Sequence, residues 1–189
     1  MQASLSEADP FEAIEAQAKR LRCEDDAAKK LTNARSLLVL GRSPSHVFFA
    51  TLALKLKYVP DWKIETAATN GIEVRYNPEF IARLTQKQAM AVNIHEVMHP
   101  ALGHHWRRGE REPAAWNIAG DLSINPQIKD AGFELPPGAL FPGQGPYAKL
   151  PVGLSAEEYY RLLPQNQQKP KPGPNGTPGD GQGEGDDPG

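Results

Sequence analysis

Four of the chain's five histidines fall within the sixteen residues NIHEVMHPALGHHWRR, Asn93 to Arg108. Two of them, His95 and His99, bracket Glu96. Residues four apart on an α-helix differ by ~40° in direction and ~6 Å in height. Both imidazoles can therefore reach one ion. Glu96 projects ~100° away from His95, outside the ligand set but close to a water that such an ion would hold. A divalent ion lowers the pKa of that water toward ~7. A carboxylate in this place can accept the proton and pass it to a leaving amine. The simpler alternative is a pair of core histidines satisfied by hydrogen bonds.

The string is the H-E-x-x-H pattern of zincin metallopeptidases, and it leaves a third ligand to be found. His105 stands six residues after His99, the metzincin offset, but the place of the turning glycine is taken by Leu102 and Gly103 comes one residue late. If the helix simply continues, His104 lies opposite His95 and His105 about 80° off. Both then read as a polar helix end beside Trp106, Arg107 and Arg108, where positive charge suits the helix dipole. Asp121 is the better candidate. It lies 22 residues after His99, in EPAAWNIAGDLSIN, which reads as a second helix opened by Pro113. Carboxylate oxygen is an ordinary zinc ligand. Gly120 beside it would let another helix approach closely. Asn117 and Asn125 share its stripe at spacing four and read as supporting or structural groups. The alternative for Asp121 is a cap or an ion-pair partner of an arginine.

The helix that must carry the histidines starts at LTQKQAMAV. Thr85 is a good N-cap and Gln88, three residues on, completes a capping box. From Ala89 to Leu102 it is apolar on nearly every side, the pattern of a buried helix, and it is expected to run from about Gln86 to His104. Pro100 removes the hydrogen bond to the Glu96 carbonyl, so a kink or an early end is expected there. Residues 11–40 read as helical, with Gly41 as the stop. In the run from Leu52 to Val59, leucines and Tyr58 alternate with Ala53, Lys55 and Lys57, which predicts a half-buried strand. Asn70-Gly71 followed by IEVRYN predicts a hairpin.

The chain has 189 residues, 39% of them hydrophobic and 23% charged, with a net charge of −2. That balance gives no reason to expect nucleic acid or an anionic membrane as a partner. No apolar run approaches ~18 residues, and the N-terminus lacks the basic-then-apolar pattern of a signal peptide. Cys23 is the sole cysteine, which points to a reducing, cytoplasmic setting. From Pro164 onward half of the residues are Gly or Pro and none is large and apolar. Residues 164–189 are expected to be a disordered tail or linker, which leaves residues 1–163 as the domain.

TAATNG followed by NPEF, then HEVMHPALGHHWRRGERE, WNIAGDLSIN and GLSAEEYYRLL, in this order, resemble the metallopeptidase domain that precedes a von Willebrand factor A-like domain in many bacterial and phage proteins. The resemblance spans about Leu31 to Leu163. It implies metal at His95 and His99, Glu96 as catalytic acid/base, and Asp121 as third ligand. It also implies a von Willebrand factor A-like partner; an ATPase is the partner expected for a non-catalytic module.

The expected fold is thus α+β: a zincin-like domain of minimal gluzincin type, with a small, mainly antiparallel sheet and a buried HExxH helix. The expected activity is zinc-dependent hydrolysis of peptide bonds in a protein or peptide substrate, with one Zn2+ per chain. Pro100 keeps open a catalytically silent, metal-holding module that recognises a protein partner; a metal-free helical adaptor is the minor reading. The peptide-binding sheet edge would be GIEVRY or the strand around Leu54. Tyr76, Tyr147 and Arg108 are the candidates for stabilising an oxyanion. The stretch GFELPPGALFPGQGPYAKLPVGLS would cover the cleft as a long loop.

Overall fold

A computed structural model describes residues 10–41 and 43–164, and the first of these segments is almost wholly one helix. Helix α1 runs Pro10–Leu40 over 31 residues. Ala27, Leu31, Ala34 and Leu38 are buried along it. Their spacing of four, three and four puts them on one stripe. The chain leaves the helix at Gly41, as expected. Helix α2, Pro44–Ala53, follows, capped by the Ser43 side chain with Pro44 in its first turn.

Here the structure departs from the expected strand. Leu52 and Ala53 belong to α2, and strand β1 covers only Lys57–Pro60. Phe49, Ala50 and Ala53 are the buried positions, at helical spacing. Leu54, which the alternation would turn inward, is 60% exposed. Burial on the helical face outweighed a short run of alternation.

Strands β2, Ala67–Thr69, and β3, Glu73–Tyr76, form the expected hairpin. Asn70 Oδ1 accepts from the backbone of Ile72 and Glu73, and Gly71 takes φ 89°, a conformation that suits glycine. The sheet order is β1-β3-β2, with β1 parallel to β3 and β2 antiparallel to it. The sheet is therefore mixed rather than mainly antiparallel. The hairpin's second strand returns through the middle and runs alongside β1 in the same direction.

Helix α3, Pro78–Arg83, leads into α4, Gln86–Ala101, which begins with the expected capping box of Thr85 and Gln88. The latter helix ends three residues short of the expected His104. Pro100 offers no N–H, and Gly103 adopts φ 67°, which turns the chain into the four-residue helix α5, His104–Arg107. Helix α6 spans Pro113–Asp130. It continues past Pro126, further than the expected Asn125, and so carries Ile128 into full burial. After a long connection with a 3-10 turn at Gly145–Tyr147, α7, Ala156–Leu162, packs against α6.

Three apolar clusters fix these elements. Tyr76, Ile81 and Val92 join α1, the sheet, α3 and α4; Leu38, Phe49, Ile94, Met98, Ile124 and Ile128 join α1, α2, α4 and α6; Leu122, Tyr147 and Tyr159 join α6 to the late segments. Ile94, Ile124 and Ile128 are fully buried, worth on the order of 1.5–3 kcal/mol each. They hold α4 against α6, and these two helices carry the site. From residue 165 on, the expected tail lies outside the described residues. Among the described residues no helix is long and apolar enough to cross a membrane.

Candidate metal centre

Helix α4 is buried on most of its circumference, and Asn93, Glu96 and His99 are buried along with its apolar residues. Polar groups there cost a few kcal/mol each unless something satisfies them. For His95 and His99 the neighbouring group comes from α6. His95 Nε2 and His99 Nε2 lie 3.1 Å apart, and Asp121 Oδ1 is 3.3 Å from the first and 3.4 Å from the second. The structure thus brings together the two histidines and the acid that the sequence singled out.

These distances test whether an ion fits. A charge-assisted N–H···O bond closes to about 2.7–2.9 Å, and neither carboxylate contact does so. Asp121 Oδ1 is buried without a hydrogen-bond partner. Four ligands held tetrahedrally at 2.0–2.1 Å stand about 3.3 Å from one another, and the observed triangle has edges of that length. Two imidazole nitrogens and one carboxylate oxygen are an ordinary donor set for a divalent ion such as zinc. Among the described residues this is the cluster with metal-ligating spacing.

The far side of each ring is also held. His95 Nδ1 is 2.8 Å from Asn125 Oδ1. The amide oxygen can only accept, so the ring carries a proton on Nδ1 and turns Nε2 toward the cluster. His99 Nδ1 faces His104 Nδ1 at 3.2 Å. Burial, then the neighbouring His99 and Arg107, push the His104 pKa down to about 4. A neutral His104 can accept through Nδ1, leaving His99 Nε2 free of a proton. His104 was expected at a polar helix end, away from the ion; it is 3% exposed and faces His99. The left-handed Gly103 folds it back, and Trp116 Nε1 donates to its carbonyl at 2.8 Å. Gly120 is what lets it fit, since a Cβ there would lie 2.8 Å from His104 Nδ1.

Electrostatics follow from burial and from Asp121. Burial alone would lower the His95 pKa, but the adjacent carboxylate outweighs it and holds the group at about 9. Burial works to raise the Asp121 carboxyl, and the two imidazoles overcome it, leaving that acid well below its ordinary range. Burial raises the Glu96 carboxyl, His95 and His99 pull it down in part, and Asp121 adds to the rise.

A cleft of about 1130 Å³ opens over the cluster. Glu96, Arg108 and Asn117 line it, with Thr66 to Asn70 among the lining residues and Leu135 to Leu140 among the others. The sheet edge at the cleft is therefore β2. GIEVRY supplies the central strand, and Leu54 lies outside any strand. Of the three oxyanion candidates, Arg108 lines the cleft. Tyr76 is packed in the cluster beneath the sheet, and Tyr147 sits among Ala115, Ala119 and Leu122. His105 also lines the cleft, against the Gly71 turn. The long loop reaches the cleft through its Leu135–Leu140 portion.

Comparison with known proteins gives the chain relatives. A family model described as "Putative metallopeptidase domain" matches residues 4–188. A Thermotoga maritima protein that bears the name "Uncharacterized protein" is 32% identical over 112 residues, which cover 56% of this chain and 28% of that protein. No solved structure matches the chain significantly.

Proposed function

The chain belongs to the family so described, and from that membership and the geometry of the site we propose that it is a zinc-dependent metallopeptidase of zincin type. The observation that carries this reading is the triangle of His95 Nε2, His99 Nε2 and Asp121 Oδ1, with edges of 3.1, 3.3 and 3.4 Å, in a cleft that Glu96 also lines. Those three atoms would hold the ion, and zinc is chosen on ligand type. Bound there, it supplies Lewis acidity, polarising a carbonyl and bringing the ionisation of water into the neutral range.

Glu96 acts as general base and then general acid. It takes a proton from the attacking water and delivers it to the leaving amine. Its raised pKa is the direction such a shuttle needs. Asn125 and His104 hold the two rings in the tautomer that leaves each Nε2 free. Strand β2 is an edge strand that lines the cleft, so a substrate peptide would lie along Ala67–Thr69 with its scissile amide beside Glu96. The cleft's volume of about 1130 Å³ and its apolar wall at residues 135–140 suit a peptide better than a small polar molecule. The relative's greater length agrees with a further domain joined to this one. A von Willebrand factor A-like domain is the one that the resemblance implies; an ATPase partner belongs to the catalytically silent reading.

The catalytically silent module drew its support from Pro100. Helix α4 ends one residue after that proline, yet His99 lies 3.4 Å from Asp121 Oδ1. The catalytic reading is therefore preferred. It is tested with the purified chain by metal analysis and by mass spectrometry of cleaved peptides. One zinc per chain and peptide cleavage are expected. In Glu96→Gln the zinc stays and cleavage falls by at least about 10²-fold. A Glu96→Gln protein that cleaves like the parent removes the mechanism, and a zinc-loaded parent that cleaves nothing returns the silent module.

A further inference from the structure

Asn125 lies on α6 one turn beyond Asp121 and is 2% exposed. Both ends of its amide are engaged. Oδ1 is 2.8 Å from His95 Nδ1, and Nδ2 donates to the Leu140 carbonyl at 2.9 Å. The two bonds fix the amide's orientation. Turned over, the Nδ2 donor would meet the Nδ1–H of His95, and Oδ1 would face a carbonyl oxygen. One buried side chain therefore spans from a ring of the metal cluster to the backbone of the segment that walls the cleft.

We propose that Asn125 is a positioning residue that couples ion binding at His95, His99 and Asp121 to the cleft wall at residues 135–140. This rests on the metal-site reading given above. An ion on Nε2 would fix the ring in place and so hold its Nδ1–H on Asn125 Oδ1. A more firmly held amide then holds Leu140. Linkage makes the effect reciprocal: whatever orders the wall, a peptide in the cleft included, tightens the hold on the ion by the same factor. Among the described residues the wall has few other polar ties. Leu135 and Leu140 touch the apolar clusters, Pro136 and Pro137 have no N–H to give, and Ala139 N donates to Pro136 O within the segment.

The experiment is hydrogen exchange of the full chain, read by mass spectrometry, without and with zinc. Slower exchange across residues 135–140 on zinc binding is expected in the parent. Two variants separate the arms of Asn125. Asn125→Asp keeps an acceptor for His95 but cannot donate to Leu140, so zinc binds no more weakly than in the parent yet no longer slows the segment. Asn125→Ala loses both arms, and zinc affinity drops about 10- to 100-fold. Zinc uptake by the parent with unchanged exchange at 135–140 overturns the coupling, and so does protection in Asn125→Asp equal to the parent's. A parent that takes up no zinc overturns the metal site itself, a separate outcome seen before any variant is made. If a variant fails to fold, the parent measurement decides.

Discussion

His99 and His104 meet Nδ1 to Nδ1 at 3.2 Å, five residues apart across the left-handed Gly103. Such a contact needs one proton between two nitrogens. With His104 neutral, His99 supplies it, and the arrangement keeps His99 Nε2 available for an ion. His104→Ala removes that acceptor and leaves a gap beside Trp116, so zinc affinity should fall about 10-fold or more. His104→Asn, which offers an amide oxygen to the same nitrogen, should recover part of the loss. Competition with a chromophoric chelator measures both. Equal affinity in parent and His104→Ala would show that His104 merely fills space.

Gly120 is the second point of close approach. A Cβ would come 2.8 Å from His104 Nδ1 and 3.3 Å from His99 Cε1. Gly120→Ala should push α6 away from the rings and lower stability by about 1–3 kcal/mol, even though alanine is the better helix former. Zinc affinity should fall with it. Chemical denaturation and metal titration give the two numbers; a more stable variant that binds zinc normally would contradict the packing described here.

Asp121 controls the protonation of the cluster. The His95 pKa is held at about 9 by the Asp121 carboxylate against the effect of burial. Below that pH His95 carries a proton that zinc must displace. Zinc binding at pH 7.5 should therefore release about one proton from this ring, and the apparent affinity should rise with pH until about pH 9 and then level off. Calorimetry in buffers of different ionisation enthalpy counts the proton. Asp121→Asn should lower the His95 pKa, because only Glu96 and Asn125 then oppose burial, and should abolish tight zinc binding. NMR titration of the ring follows the shift.

The same shift has a sign for the metal-free protein. A folded-state pKa raised above the unfolded value stabilises the fold fully below about pH 6.5. That contribution is lost as pH rises through about 9. Thermal melts of zinc-free protein should show this decline, and Asp121→Asn should flatten it. An equal slope in the variant would mean that another group is responsible.

Pro100 withholds an N–H from the Glu96 carbonyl. Pro100→Ala restores the donor and keeps the Cβ that lies near Gly71. A net gain of about 1 kcal/mol is expected, the helix bond outweighing the looser unfolded chain. Zinc binding should be unchanged, since the three candidate ligand atoms converge with proline in place. A large change in affinity would mean that Pro100 sets the ring positions.

Much of this was legible in the residues themselves. The spacing of His95 and His99, the capping box at Thr85, the Asn70-Gly71 turn and the apolar surround of α4 are local patterns, and local geometry converts each directly into structure. Asp121 could be picked out because an acid in a largely apolar helix needs a cation. The strand expected from Leu52 failed because its period competed with a helical one, and only packing of Phe49 and Ala50 against α4 and α6 decided between them. The parallel pairing of β1 with β3 joins residues whose order in the chain says nothing of their order in the sheet. His104 and Asn125 have the same origin. Their chemistry is visible in the sequence, but what each touches depends on where Gly103 turns the chain and how closely Gly120 lets α6 approach. Helical periodicity placed the two rings side by side; burial between two helices and a loop settled which nitrogen of each ring faces Asp121, because only there does every remaining proton find an acceptor.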